Sequence, residues 1–236
     1  MKTLHSHKRK IITLLAIGVY CICIFVNMDV LACTAEKNLI DQKIILIDPG
    51  HGGMDGGAVS KNGTIEKDIN LSISLKLRSE LEKLGFKAVM TREEDKWLCS
   101  DKGKIREKKR EDLYNRWKMK KESNCDAFVS IHLNMFPESK YYGAQVWYSN
   151  NENSLKLASL IQSNFKLYLD QSNKRLEKPA NDAYKILRNG DNIPSVIVEC
   201  GFLSNAQEEQ KLKDEEYQSK IAIIVAKSVK EYFENQ

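Results

Sequence analysis

The stretch Lys43–Gly57, KIILIDPGHGGMDGG, limits the fold more than any other part of the chain. Its apolar run, Ile44–Ile47, stops at Asp48-Pro49-Gly50, and a short apolar run between breakers is the pattern of a buried strand. Proline and glycine end the strand and let the backbone turn sharply. His51 then stands on an open turn just past a strand's carboxyl end, where ligand sites of open α/β sheets lie. A plain surface turn would use the same glycines. The stretch alone therefore names a candidate site and no chemistry.

The rest of the chain supplies partners for that strand. Between Glu66 and Leu84, Leu77, Leu81 and Leu84 keep helical spacing, with Gly85 just past the end, and Phe86–Met90 reads as a second strand. This closes a βαβ-like unit. The charged stretch Glu93–Glu122 can form a helix from about Lys104, with Ile105, Leu113 and Trp117 on one side. Its charges read first as a solvated face, and second as contact with an acidic polymer or partner. Ala127–Leu133, AFVSIHL, is the third strand, ending at His132 and Asn134. Ala144–Tyr148 follows a loop, Ser154–Leu169 is an amphipathic helix, and Ser172–Asp182 is a polar loop. Ser195–Cys200 is another buried strand carrying Glu199 near its end, and Glu208–Phe233 is mostly helical. Strands alternating with helices, without an internal repeat, predict one α/β domain over residues 37–236. A chain of 236 residues suits one domain with a short appendage.

That appendage is residues 1–36. Lys2, Lys8, Arg9 and Lys10 precede the uncharged run Ile11–Val26, which Asp29 ends, in the order of an export signal or membrane anchor. Cleavage near Ala32 or Ala35 and retention as an anchor both stay open. Val30-Leu31-Ala32-Cys33 loosely resembles a lipoprotein processing site, and a buried N-terminal helix is the plainer alternative. The expectation is an exported protein, secreted or membrane-anchored at the cell wall. Of six cysteines, Cys99, Cys125 and Cys200 lie beyond the leader; they form no CxxC pair, so neither a thiolate metal site nor a disulfide framework is expected. A net charge of +5 without a basic-aromatic stripe gives no footprint for nucleic acid.

Beyond His5 and His7 the chain has two histidines, His51 and His132. These and Glu199 each stand at or just past the carboxyl end of an expected strand, so parallel neighbours would gather them on one rim. Burying Glu199 in an apolar strand is costly unless it is paired or beside a metal. Two imidazoles and one carboxylate, with a fourth position open to water, are the ligands of a catalytic zinc site. Composition offers Asp48, Asp55, Glu66 and Asp68 as the oxygen ligand, and spacing does not choose among them. Glu199 would be free to accept a proton from water. No GxGxxG, GK[ST] phosphate loop, HExxH or GxSxG is present.

IDPGHGG at 47–53, IEKDINL at 65–71, TR at 91–92, SIHLN at 130–134 and VECGFLSN at 198–205 together resemble the zinc-dependent N-acetylmuramoyl-L-alanine amidases of the amidase 3 family, over about residues 43–232. The resemblance implies a twisted, mostly parallel six-stranded sheet flanked by helices. It implies Zn2+ held by His51, Glu66 and His132, with Glu199 as the catalytic carboxylate. Asp48, Asn134 and Arg116 would support those groups or touch substrate. The implied reaction is hydrolysis of the amide joining the lactyl group of N-acetylmuramic acid to L-alanine of the peptidoglycan stem peptide. A catalytic domain directly behind a leader is similar to the germination-specific amidases, which act in spore cortex maturation ahead of muramic-δ-lactam formation. That likeness would place the protein between forespore and mother-cell membranes. An unidentified accessory protein would find a surface on Asp101–Lys121. A zinc peptidase or carboxypeptidase acting on wall peptides is the nearest alternative, and a non-catalytic wall-binding or regulatory module the second.

Overall fold

A computed structural model describes residues 42–100, 102–188 and 192–235. Its chain order begins β1 (Ile44–Pro49), α1 (Glu66–Lys83), β2 (Lys87–Met90), α2 (Ile105–Glu122), β3 (Ala127–Asn134) and β4 (Gln145–Tyr148). It continues with α3 (Glu152–Asn164), β5 (Lys178–Pro179), β6 (Ser195–Phe202), α4 (Ala206–Lys213) and α5 (Glu215–Glu234). The strands form one six-stranded sheet in the order β2-β1-β3-β6-β4-β5. β1 pairs in parallel with β2 and β3, β3 with β6, and β4 with β5, whereas β4 runs antiparallel to β6. The sheet is thus mixed, mostly parallel, and flanked by helices.

Alternation along β1 supplies two cores. Ile45 and Ile47 join the larger one, and Leu46 faces the smaller one with Phe128 and Ile197. On α1 the buried residues Ile69, Ile73, Leu77 and Leu81 recur every four positions, so one helix stripe meets the sheet and α5. Each fully buried Leu or Ile stabilises the fold by about 1.5–3 kcal/mol. Leu77→Ala would open a cavity and cost about 2–5 kcal/mol. The helix stops at Leu84, and Gly85 takes a left-handed φ of 89° that lets the chain reverse into β2. At the far edge, β5 is only two residues long and ends in Pro179, a residue that cannot donate to a further strand.

α2 departs from its expected orientation. Ile105 and Leu113 are exposed, and the buried residues are Asp112, Arg116 and Lys120, again every four positions. The inward stripe is polar because Arg116 has a buried acid to meet on β1, and that ion pair outweighs the apolar spacing. The long C-terminal helical region is likewise two helices. Asp214 divides them, its carboxylate accepting from the Tyr217 N–H at 2.7 Å to start α5.

The hydrophobic signal or anchor expected ahead of the domain is corrected by the helices themselves. No helix among the described residues is long and apolar enough to cross a membrane. α5 shows why: Lys220, Lys227, Lys230 and Glu231 interrupt its apolar residues, making it a core helix with a wet face. Among the described residues, then, no helix supports the exported, secreted or membrane-anchored location expected at the cell wall. Residues 1–36, on which that expectation rests, lie outside the described residues.

Candidate metal centre and active site

The site forms where β1, β3 and β6 end side by side. Pro49 and Gly50 leave the sheet with the Gly50 N–H still donating to the Ile131 carbonyl at 3.0 Å. A Cβ on Gly50 would lie 2.3 Å from the His132 ring, and one on Gly57 would lie 2.5 Å from a Glu66 carboxylate oxygen. Both glycines are therefore needed for the backbone to pass the functional groups. His51 follows at φ 62°, a left-handed conformation uncommon for a residue with a side chain.

Two buried arginines hold that turn. Arg116 donates to Asp48 Oδ1 at 2.7 Å, to the Pro49 carbonyl at 2.8 Å and to the His51 carbonyl at 2.6 Å. Its Nε meets Asp112 at 2.7 Å. Arg92 donates to the carbonyls of Pro49 and Gly50, each at 3.0 Å, and to that of Lys67 at 2.9 Å. Asp48 also accepts from Thr91 Oγ1 at 2.6 Å and Ser130 Oγ at 2.7 Å. Asp48 and Arg116 are thus braces beneath His51, and the expected TR pair supplies two further donors.

Glu66, at the first turn of α1, joins the two histidines. Its Oε1 lies 3.3 Å from His51 Nε2 and 3.0 Å from His132 Nδ1, and the two rings are 5.0 Å apart. The carboxylate also accepts from the Leu133 N–H at 3.0 Å and, through Oε2, from the Ala58 N–H at 2.7 Å. One donor atom from each of the three residues falls within 4.8 Å of the others. Two imidazole nitrogens and one carboxylate oxygen at that spacing fit a divalent transition metal with an open position. Of the other acids that composition offered, Asp55 instead holds His51 from behind, Nδ1 to Oδ2 at 3.0 Å. Such a carboxylate sets the ring's tautomer and leaves Nε2 to face the centre. Lys109 covers the outer oxygen of Asp55 at 2.8 Å.

The electrostatics follow from these contacts. Burial would lower the His51 pKa, but Asp55 and Glu66 outweigh it and hold the ring up at about 9. Burial works to raise the Glu66 pKa, yet hydrogen bonds from His132 and His51 keep the carboxyl far below its usual range. Glu199 is the opposite case: burial pushes it up to about 7, against the pull of His132. It lies opposite His132 in the β3–β6 register. Oε1 accepts from the Tyr184 hydroxyl at 3.3 Å, and Oε2 is buried with no partner among the described residues. An orphaned carboxylate oxygen beside a ligand cluster is what a group waiting for water or substrate looks like.

Tyr184 was not legible as a site residue. It belongs to the short turn before β6, and its ring packs on Trp147 at 5.4 Å. Burial pushes its phenol pKa up, so the hydroxyl stays a donor. Asn134 ends β3 at a register shift and accepts from the Leu203 N–H at 2.8 Å through its carbonyl. It does not line the cavity of about 280 Å³ that opens over His51 and His132. That cavity is walled by α2, by residues 183–186 and by Arg188.

The family model of N-acetylmuramoyl-L-alanine amidases matches residues 45–231. The chain belongs to the amidase 3 family. The germination-specific N-acetylmuramoyl-L-alanine amidase of Bacillus subtilis is 37% identical over 198 residues, covering 81% of this chain and 80% of that protein. The probable cell wall amidase LytH of Staphylococcus aureus is 33% identical, covering 88% of this chain and 64% of its own length. The CwlD amidase from Clostridioides difficile, solved in complex with the GerS lipoprotein, matches with a TM-score of 0.80 and 45% identity over 83% of this chain and 100% of that one. As an amidase 3 enzyme the protein hydrolyses peptidoglycan, and its His51–Glu66–His132 cluster is a metal-binding arrangement consistent with a metallohydrolase.

Proposed function

We propose that the amidase 3 domain, residues 37–236, holds Zn2+ on His51, Glu66 and His132 and uses Glu199 as its general base. The observation that carries this reading is Glu199 itself, a buried carboxylate in register with His132 whose second oxygen has no partner among the described residues. A zinc ion held by His51, Glu66 and His132 would lower the pKa of water towards about 7 and polarise a carbonyl. Glu199 accepts the proton of the attacking water and passes it to the departing amine of L-alanine. Tyr184 steadies the Oε1 side of that carboxylate, leaving Oε2 to face the chemistry. Asp55 keeps His51 in one tautomer, while Asp48 and Arg116 keep its backbone in place.

The bond cleaved is the amide between the muramic lactyl group and L-alanine, and the setting we propose is spore cortex maturation ahead of muramic-δ-lactam formation. Likeness to the B. subtilis germination-specific amidase supports that setting. Mass analysis of digested peptidoglycan tests it: the expected products are free lactyl groups and intact stem peptides. Shortened stems still attached to glycan would instead indicate a peptidase. Equimolar zinc in the purified protein is expected alongside. An accessory protein partner also belongs to the reading, since the C. difficile relative was solved in complex with a lipoprotein. Co-purification from sporulating cells tests that part.

A further inference from the structure

The cleft over the histidines has more positive charge than its own acids use. Three carboxylates line it, and each is engaged: Asp48 and Asp112 with Arg116, Asp55 with His51 and Lys109. Two lining cations are left over. Among the described residues, Lys185 has no ion pair or side-chain hydrogen bond, and Arg188 meets only the exposed Asp182, with a carboxylate oxygen at 3.9 Å and the backbone carbonyl. Their base is firm. Ile186 and Leu187, between them, are buried in the smaller core, and Tyr184, just before, packs on Trp147. A turn anchored by Ile186 and Leu187 therefore presents Lys185, and an Arg188 engaged only by an exposed acid, to the same cavity as His51 and His132.

We propose that Lys185 and Arg188 form a carboxylate subsite that recognises the stem peptide on the amine side of the scissile bond. The inference rests on the amidase reading and specifies its substrate further. In the stem peptide, L-alanine is followed by an acidic residue linked through its side chain, whose α-carboxylate stays free unless amidated. Cations carried on that turn near the cleaved amide favour the free acid over the uncharged carboxamide, which matches it in shape. The pairing is solvent-exposed, so its worth is modest and screened by salt.

Two synthetic muramoyl peptides, identical except for a free α-carboxylate or a carboxamide on the second residue, decide the matter with the zinc-loaded full-length protein. The wild type is expected to show a KM about three- to tenfold lower for the free acid. The double variant Lys185→Ala/Arg188→Ala should raise KM for the acid to the carboxamide level and remove the preference, with kcat close to wild type. Lys185→Arg should retain the preference. Both positions are exposed, and an unchanged melting temperature will show that the variants fold. Equal KM values in the wild type, or the same loss on both peptides in the double variant, would overturn the subsite while leaving the amidase reading intact. Release of an L-alanyl amine from neither peptide would overturn both.

Discussion

Asp48 and Arg116 are separated by 68 residues in sequence, yet meet at 2.7 Å with both side chains almost wholly buried. Burial raises the Asp48 pKa, but Arg116 first, then Thr91 and Ser130, outweigh it and bring the group below its ordinary 3.8. A depressed carboxylate pKa adds stability that is present above about pH 4 and lost as pH falls through the folded value. Asp48→Asn leaves Arg116 short of a counter-charge and should cost about 3–5 kcal/mol. Thermal melts from pH 3 to 7 check this: the variant should melt lower at neutral pH and show a flatter acid limb.

Glu199→Gln is expected to keep fold and metal, since glutamine preserves shape and β6 is otherwise unchanged. Turnover should fall by at least 100-fold, within the span general acid–base catalysis supplies, about 10²–10⁴. Metal analysis and a melt beside the rate measurement separate loss of chemistry from loss of the site. Undiminished turnover would remove Glu199 from the mechanism.

The pH profile follows from the same residue. Burial sets Glu199 at about 7, and it must be ionised to accept a proton. Activity should therefore rise with pH through an acid limb. A cation held beside the carboxylate pulls that limb below 7. Rates between pH 5 and 8 should place the midpoint at or under 7; a midpoint above 7 would contradict the assignment.

Tyr184→Phe keeps the ring on Trp147 and removes only the hydroxyl. At 3.3 Å the contact with Glu199 is long for an O–H···O bond, so the expected loss is about two- to tenfold. It should appear in kcat at constant KM. In a Glu199→Gln background the same change should add nothing, because the hydroxyl acts through that carboxylate.

Chelation should abolish activity and leave the protein folded. Glu66 Oε1 already lies 3.0 and 3.3 Å from the two imidazoles, so the metal-free site retains an attractive pairing. Re-adding one equivalent of zinc should restore the rate. The melting temperature should fall by about 5–10 °C on metal removal, as expected for loss of a ligand held at 100 times its Kd or more. His51 must give up a proton held up at about 9 before it can ligate, so metal affinity should weaken as pH drops.

Apolar runs that end in breakers made β1, β3 and β6 readable, and with them the positions of His51, His132 and Glu199 at one rim. Helical spacing followed by Gly85 did the same for α1. Periodicity misread α2, because its buried stripe is Asp112, Arg116 and Lys120, and a polar stripe carries no hydrophobic signal. Composition left four acids for one ligand position. The chain's winding gave Glu66 to both histidines, Asp55 to the back of His51 and Asp48 to Arg116.

Local chemistry within each segment was enough to say which strands are buried, where they stop and which side chains stand at their ends. It also carried the motifs that mark the family. Pairing between distant segments was decided in three dimensions: Arg116 under the His51 turn, Tyr184 against Glu199, and Lys185 and Arg188 over the cleft. The division has a plain cause. Strand and turn preferences act over a few residues, whereas a buried charge finds its partner wherever packing brings one within hydrogen-bond reach.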